Sequence, residues 1–181
     1  MLGIPLIYLR TRGYRLSPRN FGFRKARLGQ TILTVLATWF LAYFVFGILY
    51  SWFLNTFASP SQDPSNAPGQ KTSELFGTSA GAFILAFIMV ALLTPLVEEL
   101  FFRGIIHRGL EKSLGFLPGA TLSATIFALA HTDYRLFVPI FVLGFGLAYV
   151  VHKTGSIWAS ISIHFAVNSL GVLAQLLSPG S

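Results

Sequence analysis

The sequence predicts an all-α, polytopic membrane protein of about five transmembrane helices around a buried polar active site. Three observations carry that reading. Only 10% of the 181 residues are charged and 54% are hydrophobic, against roughly 25% charged in an ordinary soluble domain. The apolar residues come in long blocks, as membrane spans do. Seven of the thirteen basic residues precede residue 28 and flank the first apolar block, where topology-setting charges belong.

The same clustering argues against nucleic acid as the partner of the +7 net charge: no recognition motif accompanies it, and juxtamembrane basic residues are drawn to anionic lipid heads. The chain has no cysteine, which excludes disulfides and thiolate metal sites.

Residues 1–29 read as a basic cytoplasmic segment. Its apolar stretch precedes the basic one and no small-residue cleavage site follows, so it is not a secretory signal. It is either the tail of a helix whose earlier part is absent or an interfacial segment. Residues 30–54, inside a charge-free stretch, form the first span. Residues 55–76, with "SPSQDPSNAPGQKTSE", form a polar extracytoplasmic loop. Residues 77–177 hold four further helices, at about 77–112, 117–131, 136–151 and 157–177, followed by a tail, 178–181. The second and third of these are short for a ~20-residue span. With the N-terminus cytoplasmic, eleven basic residues lie inside and only Lys71 and Arg135 outside, the orientation the positive-inside rule prefers in a multi-pass cell-membrane protein.

The polar residues inside these blocks are few. From Leu75 to Val97 there is no charge, and then Glu98, Glu99 and Arg103 arrive together. Glu99 and Arg103 are four apart, the spacing of a same-face ion pair, while Glu98 points about 100° away. The bland alternative is a helix emerging into headgroups, where flanking charges are usually basic. If the chain turns near Gly115, Glu98 lies 17 residues before the turn and His131 lies 16 after it, at equal height roughly 25 Å from the tip. His164 and Asn168 share a face of the last helix, a pair that elsewhere serves as interhelical glue. Ser160 lies one turn from His164, but no acid completes a serine triad.

A carboxylate and an imidazole suffice to deprotonate a water, and a second imidazole with an amide can stabilise an oxyanion. Glu98, His131, His164 and Asn168 therefore suit amide hydrolysis. The alternative use of Glu98, His131 and His164 is a zinc site with an open position. A metal-free site is preferred because zinc would consume Glu98 and leave no separate base. His107 and His152 fall near the expected inside loops and outside this set.

"EELFFR", "FALAH" and "HFAVN" resemble the E-E-x-x-x-R, F-x-x-x-H and H-x-x-x-N motifs of the CAAX protease and bacteriocin-processing (CPBP, abortive-infection) family. The stretch Phe141 to Asn168 is similar to its C-terminal signature. The resemblance covers about Gly77 to Leu177, with all motifs in order and with fewer spans than well-known members carry. It implies a catalytic core at 77–177 and an intramembrane endopeptidase acting on a membrane-anchored, CAAX-like or hydrophobic peptide. Glu98 would be the acid/base, His131 would help activate water, and His164 with Asn168 would stabilise the oxyanion. Glu99 and Arg103 would support the site. The alternatives are a catalytically silent immunity or scaffold protein of the same family and a proton-coupled transporter.

Overall fold

The computed structural model describes residues 79–131 and 136–176 continuously, residues 17–19 and 21–24, and isolated positions elsewhere before residue 78. Apart from such positions, the expected first span (30–54), the polar loop (55–76), most of the basic segment (1–29) and the tail (178–181) lie outside the described residues. Every regular element among the described residues is helical. These are α1 (Ala80–Leu114), α2 (Phe116–Leu129), α3 (Phe137–Thr154) and α4 (Ile157–Leu176). Three of them, α1, α3 and α4, are long and apolar enough to cross a membrane. At 1.5 Å per residue α1 is about 50 Å long, well over the ~30 Å hydrocarbon thickness, whereas α2 reaches only about 21 Å. The protein is thus a polytopic helical membrane protein. On its first half α1 presents Ile84, Leu85, Ile88, Met89, Leu92 and Leu93 outward, which in a bilayer is a lipid-facing surface.

α1 begins at Ser79, whose hydroxyl accepts from the Ala82 amide (3.1 Å) and so satisfies one free helix-start donor. The chain reverses at Gly115, at φ 83°, a backbone region in which a Cβ would be strained. Two widened π stretches, Phe87–Leu93 and Phe102–His107, interrupt α1. The first has a local cause in Pro95, which donates no hydrogen bond and crowds the carbonyl four residues earlier. Widening the preceding turn relieves that crowding, and the Thr94 amide reaches back five residues to Met89. The second stretch carries Arg103 and Gly104, and such bulges recur at functional sites.

Small residues let the helices approach closely. Ala120, Ala124 and Ala128 recur every four positions along α2, and all are buried. α3 and α4 pack through Leu147, Val150, Ala159 and Ile163. The Gly155 turn joins these two helices and brings the start of α4 against the N-terminal turn. There Ile157 N donates to Gly22 O (3.0 Å), Ser156 Oγ to Arg24 O (2.7 Å), and Phe23 meets Trp158 edge-on. At the same end of the bundle Glu111 of α1 faces two histidines. Its Oε1 lies 2.5 Å from His152 Nδ1, and its Oε2 lies 3.4 Å from His107 Nε2. His152 is exposed, as expected near a loop, but His107 is fully buried. The second π stretch turns it inward beside Phe116.

Candidate active site

Glu98 and Glu99 lie near the middle of α1, about 25 Å from either end. Glu99 is wholly buried and its Oε1 is shared by two partners. Arg103 Nη1 lies 3.0 Å away as an ion pair, and His164 Nδ1 also lies at 3.0 Å. The four-residue spacing alone accounts for the first contact; the second joins α1 to α4. Arg103 is further held by Nη2 donating to Gly144 O of α3 (3.0 Å) and by Phe127 of α2, whose ring centroid is 4.4 Å from Cζ. The guanidinium thus ties α1, α2 and α3 together, and Glu99 extends the link to α4, in a region where an unpaired charge would be costly.

Glu98 is the freer acid. Its side chain keeps 19% exposure where that of Glu99 has none. Its Oε2 lies 3.7 Å from His164 Nε2, beyond hydrogen-bond distance, and makes no hydrogen bond among the described residues. The imidazole facing Glu98 at ion-pair distance is therefore His164, which stands between the two acids with one nitrogen toward each.

His131 closes α2. Its amide turns to Ala128 O (3.2 Å), which frees the Phe127 carbonyl that a continuing helix would have engaged. His131 Nδ1 takes that carbonyl at 2.8 Å. A carbonyl can only accept, so Nδ1 carries a proton, and the neutral form of the ring then has its lone pair on Nε2.

Asn168 sits one turn beyond His164 on α4, and its Nδ2 donates to Val90 O (3.0 Å). Within the π stretch Val90 O would pair with the nitrogen five residues on, and that residue is Pro95. The side-chain amide supplies the missing donor and leaves one N–H uncommitted. Ser160, the serine set aside above, donates to Ile157 O (3.0 Å) within its own helix.

The zinc alternative calls for Glu98, His131 and His164 to converge. Among the described residues no three His, Asp or Glu side chains are gathered to hold a metal ion. His131 Nδ1 is engaged by Phe127 and His164 Nδ1 by Glu99, so Nε2 is the atom each ring has left to offer. Sequence reasoning did not anticipate three participants: the Glu99–His164 bond, Phe127 as a ring neighbour of the site, and the Gly144 carbonyl. The phenylalanine of "FALAH" was a signal for the second; the other two are contacts between distant helices.

Two acids and an arginine inside α1, His164 inside α4 and His131 at the end of α2 thus define a polytopic helical membrane protein with a buried polar site. The Type II CAAX prenyl endopeptidase Rce1-like family model matches residues 80–170, the region that builds this site. The chain belongs to that family, and so to the CAAX protease and bacteriocin-processing proteins that its motifs resemble. It is 28% identical over 153 residues, 84% of its length, to the "Putative membrane peptidase YdiL" of Bacillus subtilis (strain 168). It is 38% identical over 99 residues, 50% of its length, to the "Membrane-embedded CAAX protease MroQ" of Staphylococcus aureus (strain USA300). The matched regions cover 60% and 39% of those two relatives. No solved structure gives a significant match.

Proposed function

We propose that this chain is an intramembrane endopeptidase that hydrolyses one peptide bond of a membrane-anchored or hydrophobic protein or peptide, with a CAAX-like tail as the substrate class the family name suggests. The observation that carries the proposal is the asymmetry of the paired acids. Glu99 is wholly buried with its Oε1 held by Arg103 and His164, whereas Glu98 keeps 19% exposure and its nearest imidazole stands off at 3.7 Å.

In this reading Glu98 takes a proton from a water, helped by the Nε2 lone pair of His131, as the water oxygen attacks the carbonyl carbon. The developing oxyanion receives the free N–H of Asn168 and, when the ring carries both protons, the Nε2–H of His164. The C–N bond then breaks and Glu98 returns the proton to the leaving amine, giving a carboxylate and an amine. Glu99 and Arg103 fix the orientation of His164 and take no proton. No step passes through a metal.

The test is cleavage of a quenched fluorescent hydrophobic peptide, prenylated and unprenylated, by the full chain reconstituted in liposomes, with products identified by mass. Wild type should cleave at one bond, and Glu98→Gln should lose about 100-fold or more of the rate. Equal turnover by Glu98→Gln would overturn the proposal.

A further inference from the structure

We infer that Phe127 is the positioning residue that sets both imidazoles of the site, with Gly144 as the seat that holds its ring; the inference rests on the hydrolytic reading above. Phe127 is 1% exposed, and its ring lies against three polar groups of the centre, Arg103, His131 and His164. Its ring centroid lies 4.8 Å from that of His131 at 71° and 5.8 Å from that of His164 at 85°. Arg103 sits over the same ring at 4.4 Å, and Phe102 meets it at 4.9 Å and 79°. Both histidines therefore make edge contact with one aromatic plane, which restrains the tilt of each. Edge contacts and a cation over a face are individually weak. They are directional, so together they select one ring orientation.

The backbone of Phe127 completes the device, because its carbonyl fixes which nitrogen of His131 bears the proton. Ring and carbonyl belong to one residue, so the orientation of His131 and its tautomer are set together. An apolar ring between two histidines also offers neither a hydrogen bond, which leaves each Nε2 for water, substrate or Glu98.

Gly144 of α3 makes the arrangement possible. A Cβ there would stand 2.9 Å from Phe127 Cδ1 and 3.3 Å from the Ala124 backbone, closer than packed carbons tolerate. The carbonyl of this same glycine receives Arg103 Nη2. One residue of α3 thus registers the Arg103–Glu99–His164 chain and, through its missing side chain, the ring that orients His131.

The experiment compares wild type with Phe127→Leu, Phe127→Tyr and Gly144→Ala in the liposome assay, with melting temperature and the pH dependence of kcat measured alongside. Phe127→Leu and Gly144→Ala should each lower kcat about tenfold or more with KM within about twofold and displace the pH–rate profile. Phe127→Tyr, which keeps the ring, should restore both. A kcat and pH profile unchanged in Phe127→Leu would overturn the inference, as would losses that merely follow the folded fraction. A readout independent of turnover is the 15N spectrum of histidine-labelled protein in micelles, assigned with His131→Gln and His164→Gln. Wild type should give neutral His131 as the Nδ1–H tautomer. Phe127→Leu should mix its tautomers and shift the ring signals of His164 as well. Unmoved imidazole signals would defeat the positioning role whether or not the chain hydrolyses peptides. A wild type with the expected spectra but no cleavage would instead defeat the hydrolytic reading.

Discussion

The Asn168 side-chain amide donates to the Val90 carbonyl, 3.0 Å away on another helix, and Pro95 is the reason that carbonyl is available. A proline at the position that would close the widened turn leaves an acceptor with no backbone partner in an apolar surrounding. The bond therefore sets the height of α4 against α1, and with it the position of His164 beside the two acids.

That dependence gives a double-mutant test. Asn168→Leu should destabilise the protein by about 1 kcal/mol, between the average for interhelical bonds in membranes and that for an orphaned buried acceptor. In a Pro95→Ala background the restored amide can serve Val90, so the same substitution should cost measurably less. Steric-trap or denaturant unfolding of the four proteins reads the coupling. Additive effects would mean that the bond does not compensate for the proline.

The two acids should separate by phenotype. Glu98→Gln should lose turnover while its melting temperature stays near wild type, because its uncommitted oxygen leaves no partner stranded. Glu99→Gln should destabilise by about 3 kcal/mol or more, since Arg103 would stay buried without its counter-charge. If Glu98→Gln proves the unstable variant and Glu99→Gln the stable, inactive one, the two roles are exchanged.

Proteolysis should not require zinc. The rate should survive stringent chelation, and metal analysis of active protein should find well below one equivalent. Activity abolished by the chelator and restored in proportion to added zinc would show that the conformation binding metal differs from this one.

The ends of α1 should lie on opposite sides of the bilayer, because its length of about 50 Å exceeds the hydrocarbon thickness. Cysteines placed at Ser79 and Ser113 should label with an impermeant maleimide from opposite faces, with Ser113 on the cytoplasmic side by charge bias. Labelling of both from one side would exclude α1 as a span.

The sequence by itself determined the helical membrane class and the four helices from Ala80 to Leu176. Hydropathy and turn residues are local signals: expected and observed boundaries differ by only a few residues. It also determined the Glu99–Arg103 pair, because residues four apart on one helix meet whatever surrounds them. The tertiary structure decided which side chains face the acids. A count of 17 and 16 residues about Gly115 sets Glu98 level with His131 only if the rise is uniform, and the π stretch Phe102–His107 lies between Glu98 and the turn. Each widened turn changes both rise and rotation along α1, and the close packing of Ala124, Gly144 and Phe127 fixes the remaining freedom between helices. His164 therefore stands between Glu98 and Glu99, His131 is held by Phe127, and Asn168 reaches Val90. Such contacts depend on helix rotation about its axis, a quantity that spacing along one strand of sequence does not carry.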